Sequence, residues 1–383
     1  MISYFRGMTD TEKLLCELIA LPSVNPAFLP ANDRRAGEGR AAEFLAAMAA
    51  QAGLDVDFQK VQPSRSNLIA TLRATGNARQ RILLAPHLDT VPAASEEQFV
   101  PRLKGGRLYG RGACDTKGSV AAMLSALCQL AHHGPRPAET EIVFAGLVDE
   151  EHHQAGARAL AASGFKADLA IVGEPTRLKI VTAHKGSLWL ALKTRGKAAH
   201  GSRPDLGRNA VHEMARVVCL LETDYARRLR QRRHPVLGHA TVSVGVIAGG
   251  TQPNIVPDSC RASVDRRTLP GETERSVRAE LMALFRSRKL RVNIASEKQL
   301  ACLPMETDAR LPLVRRLFAA AGQKKAAGVD YFCDASVLAR AGIPSVVFGP
   351  GDIAQAHTAD EWVGRKSLEA ATALLAKFLR LLP

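Results

Sequence analysis

Three short apolar runs in the first half of this chain each stop at a turn rich in histidine or acid. The run 81–85 is followed by His87-Leu88-Asp89-Thr90, the run 141–147 by Asp149-Glu150-Glu151, and the run 169–172 by Gly173-Glu174-Pro175. Apolar runs of this length between turn residues read as strands buried on both faces. A helical pattern at 119–131 lies between the first two and follows Gly112-Ala113-Cys114-Asp115-Thr116-Lys117-Gly118. Alternation of helices with doubly buried strands restricts the chain to an α/β sheet covered on both sides. Such sheets bind ligands beyond the carboxyl ends of their strands. All three turns fall there, so separate segments converge on one site.

The same reading extends along the chain. Helices are expected at 11–19, with Thr9 or Asp10 as N-cap, and at 40–52, ended by Gly53. Strands are expected at 54–61 and 67–72. Past Lys185 the pattern changes to strands at 187–194, 240–246, 259–267 and 290–294, with helices at 209–221 and 273–285. That β-α-β-β-α-β order makes a compact antiparallel α+β unit. After Leu303 the α/β style returns, with a strand at 344–348 before Gly349-Pro350-Gly351 and a closing helix at 366–381. His357 lies in this last part. If it joins the site, the middle unit is an insertion, and the expected division is 1–184, 185–300 and 301–383.

Composition excludes several classes. A chain of 383 residues with 46% hydrophobic and 23% charged residues is globular, and two domains suit its length. No apolar run approaches the roughly 20 residues of a membrane span. The first eight residues are too short and mixed for a signal peptide, and Met8 is the expected natural start. Seven scattered cysteines without a CxxC spacing suit reduced thiols and a cytoplasmic location. Much of the net charge of +15 falls between Arg195 and Arg233. Aromatic residues are only 5% and do not interleave with it, so the run Arg227-Arg228-Leu229-Arg230-Gln231-Arg232-Arg233 reads as a solvated face or loop rather than a nucleic-acid surface.

The clusters supply two histidines and several carboxylates, the mixed donor set that holds a pair of divalent metals. Asp115 is the natural bridge, because each carboxylate oxygen can bind one ion. His87 then serves one ion and His357 the other, with Glu151 and Glu174 completing the sets. Asp89, two residues after His87, can accept the imidazole's second N–H and orient it. Glu150 is left without a metal and can carry a proton during hydrolysis. Each element alone has a plainer reading. His-x-Asp is commonly a capping pair, Asp-Glu-Glu a solvated run, Glu174 a turn residue and Cys114 a small core side chain. His132 and His133 can complement a helix end. His152 and His153 follow the acidic pair directly and are competing donors.

His87-Leu88-Asp89-Thr90-Val91-Pro92, Gly110-Arg111-Gly112-Ala113-Cys114-Asp115-Thr116-Lys117-Gly118, Asp149-Glu150-Glu151 and Gly173-Glu174-Pro175-Thr176 resemble the motifs of a known family. It comprises the dinuclear zinc amidohydrolases and exopeptidases, among them acetylornithine deacetylase, succinyl-diaminopimelate desuccinylase, aminoacylase and glutamate-releasing carboxypeptidases. The resemblance covers essentially the full length. It implies a zinc-exopeptidase-like mixed sheet sandwiched by helices, with the inserted unit as a dimerisation lid. It implies His87, Asp115 and Glu174 on one ion, and Asp115, Glu151 and His357 on the other. Zinc is the expected metal, with cobalt or manganese able to substitute. Glu150 becomes the general acid/base and Asp89 the orienter of His87. His200, in Ala199-His200-Gly201-Ser202, matches a lid histidine that stabilises the oxyanion in the partner subunit's site. Asn254 and Arg267 match lid positions that contact substrate, and Gly349 and Gly351 are expected beside it.

The segment from Gly349 to His357 most resembles the acetylornithine deacetylase branch. The expected reaction is hydrolysis of an N-acyl amino acid, N-acetylornithine first, by a homodimer. The alternatives are a desuccinylase, a dipeptide-type carboxypeptidase or a nonenzymatic basic binding protein. Two departures touch substrate choice: Pro86 precedes the first histidine where a small residue is common, and Phe332-Cys333-Asp334 stands where Gly-Thr-Asp is common.

Overall fold

The computed structural model describes residues 7–297 and 302–383. Most of the N-terminal segment read above for a signal, and the boundary set at 300/301, lie outside the described residues. The chain opens with α1 (Asp10–Ala20), whose capping box pairs the Thr9 hydroxyl with Glu12 N and the Glu12 carboxylate with Thr9 N. There follow α2 (Gly39–Gln51), β1 (Asp55–Gln62), β2 (Arg65–Leu72) and β3 (Gln80–Pro86). A hairpin of β4 (Arg102–Lys104) and β5 (Arg107–Tyr109) precedes α3 (Lys117–His133), and β6 (Thr140–Gly146), α4 (Ala155–Ala162) and β7 (Leu169–Gly173) come next.

The middle of the chain forms β8 (Gly186–Arg195), α5 (Ala210–Leu220), α6 (Ala226–Gln231), β9 (Thr241–Gly249), β10 (Ser259–Thr268), α7 (Glu274–Ser287) and β11 (Val292–Ser296). The last part contains α8 (Pro312–Ala321), α9 (Ala335–Arg340), β12 (Ser345–Val347), β13 (Trp362–Gly364) and α10 (Arg365–Arg380). Two compact units result. One comprises Met1–Thr182, Thr307–Ala327 and Cys333–Pro383; the other comprises Ala183–Glu306 and Gly328–Phe332.

In the first unit the mixed sheet runs β1-β2-β6-β3-β7-β12. β3 is parallel to both neighbours, β12 is parallel to β7, and β2 is antiparallel to β6. Ile82, Leu84, Ile142, Phe144, Leu169 and Ile171 share one core with residues of α1, α2, α3 and α10. The intervening Leu83, Val143, Ala170 and Val172 are buried too, and α9 packs on β7 and β12. Burial on both faces explains why these strands are continuous apolar runs rather than alternating ones. In the second unit an antiparallel sheet runs β9-β10-β8-β11. Leu188, Leu190, Leu192, Ala262 and Val264 cluster with Met214 and Val217 of α5 and Leu281 and Phe285 of α7. The opposite face is open, and Trp189 is exposed there.

Four short helices, α4, α6, α8 and α9, escape the sequence reading. α4 is brief and alanine-rich, so its apolar stripe has little contrast. α8 carries Pro312 at its first position and the left-handed Gly322 at its end, a signal the sequence did contain. The basic run is not a loop: residues 226–231 are helical and continue α5 through a π turn, anchored by the buried Tyr225 and Leu229. Among the described residues, no helix is long and apolar enough to cross a membrane.

His184 is fully buried, with Nδ1 bonded to the Lys185 carbonyl at 2.9 Å and no hydrogen-bond partner for Nε2 among the described residues. Burial lowers its pKa to about 4. The unfolded chain therefore takes up this proton first as pH falls. The group's contribution is complete above about pH 6.5 and declines toward pH 4, by about 3 kcal/mol in total. Urea midpoints at pH 7, 5.5 and 4.5 should fall less steeply for His184→Asn, which keeps a donor near Nδ1 but cannot titrate. Equal slopes would remove His184 from this role.

Candidate metal centre

The sheet gathers the site. His87 directly follows β3, Glu174 directly follows β7, and Asp149-Glu150-Glu151 form the turn after β6, so three adjacent parallel strands aim their carboxyl ends at one place. Asp115 arrives on the turn before α3. His87 Nε2 lies 3.2 Å from Asp115 Oδ1 and 3.9 Å from Glu174 Oε1. His357 Nε2 lies 3.3 Å from Asp115 Oδ2 and 3.2 Å from Glu151 Oε2. Asp115 thus turns one oxygen to each histidine. Donor atoms of His87, Asp115 and Glu174 lie within 4.8 Å of one another, as do those of Asp115, Glu151 and His357.

Burial and mutual repulsion make negative charge costly at this site. Burial, then the charge of Glu174, holds Glu150 well above the usual carboxylate range. Burial and then Asp115 act the same way on Glu151 and Glu174. Burial opposes ionisation of Asp115, but His357 and His87 outweigh it and keep the group below its ordinary range. Hydrogen bonds to Asp115 and then Glu151 raise His357 to about 10. Among the described residues no Lys or Arg pairs with Asp115, Glu150, Glu151 or Glu174. Glu151 Oε1 is buried without a hydrogen-bond partner. Clustered carboxylates and imidazoles with an orphaned oxygen fit a pair of hard or borderline divalent ions.

Asp89 braces the first histidine and the acidic turn together. His87 Nδ1 lies 3.0 Å from the Asp89 carbonyl oxygen and 3.4 Å from Asp89 Oδ1, and the two carboxylate oxygens accept from Glu150 N at 3.0 Å and Glu151 N at 3.1 Å. Asn25, which the sequence did not mark, donates to Asp89 at 2.7 Å and to Asp149 at 3.0 Å. A buried Glu38–Arg65–Asp149 chain was also unmarked. Arg65 reaches Asp149 at 2.8 Å and grips Glu38 through two nitrogens, holding Asp149 in its left-handed conformation at φ 70°. Asp334 is buried nearby in charge, raised to about 7 by burial, and it adds to the upward pressure on Glu150 and Glu174.

Glu361 does comparable work for Asp115. Its carboxylate accepts from Arg111 at 2.7 Å and from the backbone N–H groups of Gly112, Cys114 and Asp115 at 2.9–3.0 Å. Glu361→Gln removes the charge opposite the buried Arg111 and turns an amide toward backbone donors. It should cost about 3–5 kcal/mol, as breaking a buried pair does. Urea unfolding checks this, and wild-type stability in the variant would count against it.

Gly349 and Gly351 are required by close approach. A Cβ on Gly349 would collide with Ser119 Oγ and with the Glu174 carbonyl oxygen, 2.5 Å away, and one on Gly351, at φ 87°, would meet Cys114 Sγ at 2.6 Å. Pro86 is buried, paired with Gly173, whose missing side chain leaves room for the ring. His200, Asn254 and Arg267 belong to the second unit. His200 Nδ1 is 2.7 Å from Ser202 Oγ, and the neighbouring Gly201 N–H donates to the Asn254 carbonyl at 2.7 Å. Arg267 rests its fork on Asp265 at 3.0 and 3.2 Å. His132 and His133 end α3, while His152 and His153 stack on each other; none joins either donor group. Cys114 points its thiol at the Asp352 carbonyl, 3.2 Å away.

Comparison with known proteins places these observations. Residues 83–381 match peptidase family M20/M25/M40. Acetylornithine deacetylase of Myxococcus xanthus is 33% identical over 350 residues, covering 88% of this chain and 90% of that protein. The aminopeptidase PepT of Bacillus cereus superposes with a TM-score of 0.78 at 22% identity, over 98% of this chain and 99% of the other. A Bacillus subtilis protein described as a dinuclear metal binding peptidase from the M20 family superposes with a TM-score of 0.72 at 14% identity, over 97% of each chain. At such identities the structural likeness speaks for the fold.

Proposed function

The chain belongs to peptidase family M20/M25/M40 and is a metal-dependent hydrolase, and from that premise we propose that it deacylates an N-acyl amino acid, with N-acetylornithine as the first candidate. The products are acetate and the free amino acid. One observation carries the reading: Asp115 offers one oxygen to each of two histidine–carboxylate groups, and Glu150 is left unpaired beside them. His87, Asp115 and Glu174 would hold one divalent ion, and Asp115, Glu151 and His357 the other, with zinc the first candidate. Bound there, such ions supply Lewis acidity to the attacking water and the acyl carbonyl.

The residues divide the remaining work. Glu150 takes a proton from the water as its oxygen attacks the acyl carbon, then delivers it to the leaving nitrogen as the C–N bond breaks. Burial and then the charge of Glu174 raise its pKa, the direction a proton carrier needs. Asp89 keeps His87 in one tautomer and holds the backbone of Glu150. We assign His200 to the oxyanion in the partner subunit's site, and Asn254 and Arg267 to substrate. We further propose a cytoplasmic homodimer. The edge strand β9 supports the dimer, since among the described residues it is unpaired on one side and exposes Val246 and Ile247.

The test is a hydrolysis panel of N-acetylornithine, N-acetylcitrulline, N-succinyl-diaminopimelate, simple N-acetyl amino acids and a dipeptide, with added Zn²⁺ or Co²⁺. The highest kcat/KM is expected for N-acetylornithine. Preference for the succinyl substrate would replace the acyl assignment. Less than one metal per chain together with no hydrolysis would favour a binding protein instead.

A further inference from the structure

The hairpin β4–β5 and the strand β13 form a small three-stranded sheet whose outward face is unusual. Lys104 is directly opposite Arg107, Arg102 is opposite Tyr109, and Trp362 is opposite Tyr109 on its other side. Residues two apart share a face, so Arg102, Lys104, Arg107, Tyr109 and Trp362 stand together. Leu108 and Val363 point the other way and are fully buried. Like charges directly across a strand pair repel and destabilise the sheet. Among the described residues none of the three cations pairs with a carboxylate. Two of the three heads lie over rings: the Arg107 guanidinium is 3.9 Å from the Trp362 ring centre, and that of Arg102 is 5.9 Å from the Tyr109 ring centre. Stacking holds a guanidinium flat and leaves its N–H edge free for an anion.

This face lines a cavity of about 800 Å³, a size suited to a small-molecule ligand. Asp360 is the one carboxylate on its wall, so three cations outnumber it. Gln355 and Thr358, on either side of His357, complete the wall. We propose that this cavity is a binding site for a di- or triphosphate group, separate from the hydrolytic centre. Two guanidinium forks and an ammonium match several tetrahedral phosphates better than they match a single carboxylate. The bound anion relieves the Lys104–Arg107 repulsion and contacts the segment that carries His357. The inference does not depend on which acyl amino acid is hydrolysed.

The chain has two tryptophans, so Trp189→Phe leaves Trp362 as the sole reporter. The metal-loaded Trp189→Phe protein is titrated with inorganic pyrophosphate, tripolyphosphate, ATP and citrate at constant ionic strength. Pyrophosphate and tripolyphosphate should give a saturable change in Trp362 emission. ATP matching them identifies a nucleotide's phosphates as an acceptable source, and ATP failing to bind restricts the site to free polyphosphate. Lys104→Gln and Arg102→Gln should each weaken binding at least about tenfold, the effect of losing one charge-assisted contact. Pyrophosphate should also raise the Tm of the parent protein and not that of a Lys104→Gln/Arg102→Gln double variant. No saturable emission change, equal affinity in the variants, or tighter binding of citrate than of pyrophosphate would each overturn the proposal.

Discussion

Asp115→Asn is expected to leave less than one ion per chain and to cut turnover at least about a thousandfold. Asp115 is the one residue common to both donor groups, with Oδ1 facing His87 and Oδ2 facing His357. An Asn amide has a single acceptor oxygen, so one group gains an N–H where it needs a lone pair. The lost negative charge weakens both groups further. Loss of a residue that merely orients a ligand costs about 10- to 100-fold in metal affinity, and loss of a shared ligand should cost more. Elemental analysis after dialysis against metal-free buffer should fall from near two ions per chain to below one. Turnover should drop at least about a thousandfold, because both the activated water and the polarised carbonyl depend on the ions. Two retained ions would show that Asp115 is not the bridge.

Glu150→Gln should separate binding from chemistry. Glu150 belongs to neither donor group, so metal content should stay near two per chain. Its backbone N–H remains on Asp89, so the turn should keep its shape. The amide cannot take a proton from water, and loss of a general acid/base removes about 10²–10⁴-fold of rate. The expected result is therefore a metal-replete, folded and nearly inactive protein, with kcat reduced far more than KM changes. Glu150→Asp, with its carboxylate drawn back by one methylene, should recover part of the loss. Near-normal turnover in Glu150→Gln would end the proton-carrier assignment.

Much of the site was legible because strand ends are local features. The apolar runs before His87, Glu151 and Glu174 announce buried strands, and parallel pairing of β3 with β6 and β7 brings their ends together. The residues that brace the site were not legible. Asn25, Glu38 and Arg65 sit in segments with no motif, yet they bind Asp89 and Asp149. Glu361 reads as one acid among many, although it meets Gly112 across 249 residues of sequence. The basic run is the solvated face expected of it, and only its helical backbone was hidden. Its exposed arginines mask Tyr225 and Leu229, the two apolar anchors that make it helical.

What the sequence by itself determined was the alternation of the main strands and helices, with its change of style in the middle of the chain, and the kinds of donor at the strand ends. Both follow from periodicity and side-chain chemistry, which act over a few residues. Only the tertiary structure decided that Asp115 turns one oxygen toward each histidine. It alone showed which buried partners hold that turn and that of Glu150, and that Lys104 opposes Arg107. These depend on the direction of single lone pairs and on partners far apart in the chain. Such directions arise when the core closes and buried polar groups must find acceptors or donors.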